Sequence, residues 1–282
     1  MSEILLSAFA DEYNRNIDEQ IKMAREAKLS YLEPRFINGK NIADFTGEEA
    51  RLLKVKLDGI KVSSIGSPLG KINLADDFGI HMETAKRVFE TAEILETRNV
   101  RMFSFYLHQG KTRQECRAEV LDKLGQMIDL AEKHGIVLCH ENEADIYGES
   151  PEQCLDILET FGGRMKCVFD MGNFVLGGYK PYPDAYEKLK DYIQYFHIKD
   201  AFSHGAIVPP GCGEGFIEEI LKSYTREFDR EVVTTLEPHL QVFDGLSLLT
   251  DKTFDNPYVY ENKEIAFMDA LVKLRNIVSK VG

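Results

Sequence analysis

Ile4-Leu5-Leu6-Ser7-Ala8-Phe9 runs straight into Ala10-Asp11-Glu12-Tyr13, and the lack of glycine in that turn separates two architectures. A short apolar run, a polar turn and an amphipathic segment make a βα unit. An open doubly wound sheet of such units carries a glycine-rich fingerprint after its first strand. This turn carries none. Seven more apolar runs follow: Tyr31 to Leu32, Ile60 to Ile65, Val100 to Tyr106, Ile136 to Cys139, Lys166 to Phe169, Ile193 to Ile198 and Val232 to Leu236. Their β-branched and aromatic content suits buried parallel strands. Segments of helical periodicity separate them: Asn16 to Ala27, Glu49 to Asp58, Glu83 to Leu95, Glu115 to His134, Pro151 to Phe161, Asp184 to Asp191 and Gly215 to Ser223. Lys263 to Val281 comes last, and Ser150-Pro151 reads as an N-cap and first turn. Eight such units predict an α/β fold, a closed (β/α)₈ TIM barrel, with residues 1–282 forming a single domain.

A formal net charge of -13, from 47 acidic against 34 basic residues, opposes binding to nucleic acid or anionic membranes. Five cysteines, at 116, 139, 154, 167 and 212, form an odd set without CxxC spacing. They read as buried thiols of a reducing compartment. Met1-Ser2-Glu3-Ile4 has no basic n-region, so no signal peptide is expected. No apolar stretch nears the roughly 18 residues of a membrane helix. A cytoplasmic location is expected.

In a barrel, reactive groups gather at the C-terminal ends of strands. Strand five runs into His140-Glu141-Asn142-Glu143, strand six into Asp170-Met171-Gly172-Asn173, strand seven into His197-Ile198-Lys199-Asp200 and strand eight into Glu237-Pro238-His239. Four consecutive strands therefore end in Glu141, Asp170, His197 and Glu237. Each follows apolar residues, where a lone charge is costly to bury. One divalent metal ion removes that cost. Three carboxylates and an imidazole suit Mn²⁺ first, or Mg²⁺, with Zn²⁺ and Co²⁺ as alternatives.

These segments carry a resemblance. Gly135-Ile-Val-Leu-Cys-His-Glu-Asn-Glu143, Phe169-Asp-Met-Gly-Asn173, Phe196-His-Ile-Lys-Asp200 and Leu236-Glu-Pro-His239 resemble the xylose isomerase-like barrel superfamily, in particular its sugar phosphate isomerase/epimerase group. The loop Pro210-Gly-Cys-Gly-Glu-Gly-Phe216 is similar to that group's glycine loop. The resemblance implies metal ligation by Glu141, Asp170, His197 and Glu237, with the two glutamates also serving as acid and base. Multi-zinc AP endonucleases share the fold but need further histidines. Asn173 stands where they place one, and Ser63 to Ser67 also offers none. The implied reaction is isomerisation or epimerisation of a sugar, sugar phosphate or polyol through an enediolate. An inosose-type keto-polyol dehydratase and a non-catalytic binding barrel are the alternatives.

Further candidates surround the four. Lys199 could reach substrate oxygens, or pair with Asp200 in solvent. Glu33 and Arg35 share one strand face and could bind a polyol or pair internally. Glu143 and Asn173 are further candidates to contact substrate. By parity Glu143 could orient Glu141, and His239 could orient Glu237. His108 could line the mouth or be structural. The glycine loop Gly211 to Gly215 could cradle phosphate, but it carries Glu214 and no cation, which favours clearance for an unphosphorylated substrate. Tyr179, Tyr182 and Tyr186 are candidates for a lid, for a homo-oligomer contact or for packing on the barrel. Mass spectrometry of the purified protein should find about one divalent ion per chain. Both Glu237→Gln and His197→Ala should lose or weaken it; a protein that stays metal-free after soaking with Mn²⁺, Co²⁺ and Zn²⁺ overturns the ligand assignment.

Overall fold

The computed structural model describes residues 3–240 and 258–281, and within them the alternation closes into a ring. The barrel strands are β1 (Ile4–Ala8), β2 (Tyr31–Leu32), β3 (Lys61–Val62), β4 (Asn99–Met102), β5 (Val137–Glu141), β6 (Met165–Asp170), β7 (Ile193–Ile198) and β8 (Val232–Leu236), and two short antiparallel pairs, Phe36–Ile37 with Lys40–Asn41 and Asp200–Ala201 with Ile207–Val208, lie outside the ring. Six of them form one parallel sheet in the order β1-β8-β7-β6-β5-β4, and β2 pairs with β3, also in parallel. Two short joins complete the circle. The Glu33 amide donates to the Ala8 carbonyl at 3.1 Å, tying β2 to β1. Ile65 and Val100 form a parallel bridge, with the Ile65 amide on the Asn99 carbonyl and the Arg101 amide on the Ile65 carbonyl, both at 3.0 Å. β4 stops at Met102, short of the expected Tyr106, because the Phe103 and Phe105 amides turn to the carbonyls of Leu69 and Gly70.

The helices are α1 (Ile17–Glu26), α2 (Gly47–Leu57), α3 (Phe78–Ile94), α4 (Arg113–Lys133), α5 (Pro151–Thr160), α6 (Met171–Leu176), α7 (Tyr186–Leu189), α8 (Ile217–Glu227) and α9 (Lys263–Val281). Reciprocal capping boxes start α2 (Thr46 with Glu49) and α4 (Thr112 with Glu115), and Ser150 caps α5. α3 begins ahead of the expected Glu83 because Asp77 accepts the amides of Gly79 and Ile80. α8 begins at Ile217 rather than Gly215, since Phe216 takes a left-handed conformation at φ 53°. α6 is absent from the sequence reading; the Asp170 carboxylate starts it by accepting the Asn173 amide at 2.7 Å.

Alternation along each strand sorts side chains between two cores. Outward residues such as Val100, Leu138, Phe169 and Phe196 join Val88, Phe89, Leu124 and Leu221 of the helices in the main core. Inward, Cys139, Val168 and Tyr195 form a small separate apolar cluster with Val137 and Val233. Two residues further along those strands, the same parity presents Glu141, Asp170, His197 and Thr235. An apolar floor therefore underlies a polar rim.

The loop after β7 departs from both readings offered for it. Asp200, 1% exposed, accepts the amides of Ala201 (3.0 Å), Gly211 (2.8 Å), Gly213 (3.0 Å) and Gly215 (2.9 Å). The glycine amides that a phosphate cradle would use are thus turned onto the chain's own carboxylate. The loop does not merely clear space either: a Cβ on Gly213 would lie 2.4 Å from Asp200 Oδ1, so glycine is what lets the backbone close around it. Asp200→Ala strands buried donors, each worth about 1–3 kcal/mol. Urea denaturation should show a loss of about 2 kcal/mol or more; a change within about 0.5 kcal/mol would rule out this anchoring.

Candidate metal centre

Four neighbouring strands bring the four strand-end residues to one point of the rim. One ligand atom from each of Glu141, Asp170, His197 and Glu237 lies within 4.8 Å of the others, and all four residues are at most 3% exposed. The ladder sets Asp170 directly beside His197. Glu141 ends β5 on one side, and Glu237 follows β8 on the other.

His197 is held through both ring nitrogens. Nδ1 lies 2.9 Å from Glu141 Oε1 and 3.4 Å from Glu237 Oε2, whereas Nε2 lies 3.2 Å from Glu33 Oε2. Glu33 also accepts from the hydroxyls of Tyr195 (2.9 Å) and Thr235 (2.8 Å). That carboxylate is committed to the back of the imidazole, an arrangement that orients a metal-binding histidine and sends its other nitrogen forward. Each glutamate has one oxygen on an arginine. Arg101 Nη1 donates to Glu141 Oε2 at 3.2 Å, and Arg35 Nη1 donates to Glu237 Oε1 at 2.6 Å. Among the described residues Glu237 Oε2 is buried and makes no hydrogen bond, with His197 Nδ1 at 3.4 Å and Lys199 Nζ at 3.5 Å the nearby basic nitrogens.

The surrounding candidates separate. Lys199 is 3% exposed and donates to Asp170 Oδ2 (3.1 Å) and Asn173 Oδ1 (2.9 Å), with Glu237 Oε2 at 3.5 Å. Of the two readings offered for Lys199, the solvent pairing with Asp200 does not form: strand parity turns the two to opposite sides, and the glycine loop takes Asp200. Glu33 and Arg35 do not pair with one another, since Arg35 reaches Asp11 (3.0 Å) and Glu12 (3.1 Å) besides Glu237. Glu143 points to Lys71 at 2.8 Å, and the role of orienting Glu141 falls to Arg101 and His197. His239 lies 3.4 Å from Glu237 Oε1 and 3.3 Å from Glu12 Oε1. His108 is not joined to the cluster; its Nε2 sits 2.7 Å from Glu119 on α4.

Burial drives the Asp170 carboxyl up to about 7 against the pull of Lys199. It also raises Glu12 to about 8 against Arg35. At Glu141 burial is outweighed by His197 and Arg101, which hold the group at about 2. Burial would lower His197, but the charges of Glu141 and Glu33 hold it well above the ordinary range. The cause of this spread is a charge imbalance. Asp11, Glu12, Glu33, Glu141, Asp170 and Glu237 are each at most 5% exposed, and among the described residues the buried basic groups around them are Arg35, Arg101, Lys199 and the raised His197 ring. Six acidic groups outnumber the basic ones in a poorly solvated space, and the raised Glu12 and Asp170 carboxyls relieve part of the repulsion by keeping their protons. The donor set, three carboxylates and a forward-facing imidazole nitrogen, fits a divalent cation. Glu12, Glu237 and His239 also converge closely, but there Arg35 already stands on both glutamates.

Sequence reading missed Arg101, Asp11, Glu12 and Asn142 as members of the site. Arg101 left a signal, because it is a charge inside an apolar run with inward parity. Asn142 exchanges two 3.0 Å hydrogen bonds with the Asp170 backbone, and nothing in the sequence points to that pairing.

A family model described as Xylose isomerase-like TIM barrel matches residues 21–229. Among solved structures, a D-allulose 3-epimerase from Methylomonas sp. in complex with D-allulose is similar at TM-score 0.74 and 14% identity, covering 98% of each chain. IOLI protein with a binding zinc atom is similar at TM-score 0.73 and 19% identity, covering 99% of each chain. The probable 3-DHS dehydratase AsbF from Bacillus anthracis is similar at TM-score 0.71 and 17% identity, covering 98% of this chain and 99% of that one. At these identities the likeness is one of fold. No curated protein matches the sequence. With the greater part of its length matched by that model, the chain belongs to the xylose isomerase-like TIM barrel family.

Proposed function

We propose that this protein is a divalent-metal-dependent isomerase or epimerase of an unphosphorylated sugar or polyol. The observation that carries the reading is the pair of glutamates, Glu141 and Glu237. They stand on opposite sides of His197 and Asp170, each with one oxygen held by an arginine and the other turned into the cluster. Glu141, Asp170, His197 and Glu237 would hold the ion, with Mn²⁺ the first candidate for an oxygen-rich set. When bound, it would supply Lewis-acid polarisation of a substrate carbonyl and its adjacent hydroxyl, which makes the neighbouring C–H more acidic.

The chain's own groups do the rest. One glutamate takes the proton from carbon, leaving an enediolate, and the other returns a proton from the opposite face. Return to the same carbon is epimerisation, and return to its neighbour is isomerisation. Lys199, held by Asp170 and Asn173, is placed to donate to a substrate oxygen. Commitment of the Gly211, Gly213 and Gly215 amides to Asp200 supports a substrate without phosphate. A family fold shared with an epimerase crystallised with D-allulose is consistent with this substrate class. The fold shared with a probable dehydratase favours one second reading, in which the same enolate chemistry ends in loss of hydroxide.

The Mn²⁺-loaded protein should be incubated in D₂O with D-allulose and a panel of other free ketoses and keto-polyols. Nuclear magnetic resonance should show C–H exchange and an isomeric product, while a product lighter by one water assigns the dehydratase. Glu141→Gln and Glu237→Gln should each lose exchange by about 100-fold or more with circular dichroism unchanged. Exchange at the parent rate in both variants would refute the two-glutamate mechanism.

A further inference from the structure

Each glutamate of the cluster leans on a buried arginine, and the two arginines share one aromatic ring. The guanidinium carbons of Arg35 and Arg101 lie 4.1 and 5.1 Å from the centroid of Phe9. Phe9 is fully buried and meets the His197 ring edge-on at 5.0 Å. No space remains around it: a Cβ on Gly66 would fall 2.4 Å from Phe9 Cε1. The remaining nitrogens of both arginines are committed. Arg101 donates through Nε to the Ser67 carbonyl (3.3 Å) and through Nη2 to the Gly66 carbonyl (3.2 Å). Arg35 donates through Nε to Asp11 (3.0 Å) and through Nη2 to Glu12 (3.1 Å). A guanidinium fixed at all three nitrogens is a rigid planar fork, so it sets the direction of the carboxylate it holds as well as compensating its charge. Every nitrogen of both groups already has a protein partner.

We propose that Arg35 and Arg101 are positioning residues, one for each glutamate, that aim the second oxygens of Glu237 and Glu141 at the same metal ion. Phe9 keeps the two guanidinium groups in register through the ring that both overlie. This inference rests on the metal-dependent reading of the site.

Positioning and plain charge compensation act in opposite directions on metal affinity. A cation that only balances charge repels a second cation, so its removal tightens metal binding. A cation that aims a ligand weakens binding when lost, by about 10- to 100-fold for partners of metal ligands. The probe is Mn²⁺ alone, titrated into the full chain and followed by the paramagnetic resonance of the free ion, with circular dichroism as the check on folding. Arg101→Met should bind Mn²⁺ at least about 10-fold more weakly. Arg101→Lys, which keeps the charge but not the fork, should also weaken it. Millimolar guanidinium should restore part of the affinity of Arg101→Ala, and Phe9→Leu should weaken binding with both arginines present. If Arg101→Met fails to fold, Arg101→Lys decides. Equal or tighter binding in the folded Arg101 variants, while the parent protein binds Mn²⁺, overturns the positioning role and leaves the metal-dependent reading standing. A parent protein that takes up no Mn²⁺ overturns both.

Discussion

Moving a carboxylate from water into a protein interior costs several kcal/mol unless other charges and donors meet it there, and this barrel does so six times on one rim. The fold depends on how that charge is distributed. Arg35 spans Asp11, Glu12 and Glu237, whereas Arg101 serves Glu141 alone. Lys199 serves Asp170 and reaches Glu237. Glu33 is treated differently again: hydroxyls of Tyr195 and Thr235 and the His197 ring satisfy it. Acidic groups still outnumber these basic ones, and Glu237 Oε2 faces the forward nitrogen of His197 at 3.4 Å. That donor set fits a divalent cation.

Asp200 shows the other solution to the same problem. Backbone dipoles take the place of a counter-ion there. Four amides converge on it, and burial still raises its carboxyl above the ordinary range. The outcome is mechanical. The chain after β7 is folded back on itself beside α8, which leaves Lys199 on the inward side of the strand and free of its sequence neighbour. A solvent-exposed Lys199–Asp200 pair would have removed a cation from the rim.

Much of this was legible in the sequence because it repeats. Strand parity and strand-end placement are properties of the local backbone, so Glu141, Asp170, His197 and Glu237 could be picked out one strand at a time. The eight-unit alternation with a glycine-free first turn was enough to choose a closed ring. Arg101 was visible in principle as a charge in an apolar run. Its partner was not, because that partner is 40 residues away on the next strand. The glycine loop was misread for a related reason: glycines signal a close backbone approach without saying what is approached.

Periodicity by itself therefore determined the barrel, its inward and outward faces, and the strand ends that carry acidic and histidine side chains. The tertiary structure decided which of those groups converge on one point, which hold the others in place and which stand apart. Arg35 meets Glu237 across 202 residues and Glu33 meets His197 across 164. Such pairs exist only once the ring has closed. Hydrogen-bond partners are chosen by distance in space, and no local pattern of residues records it.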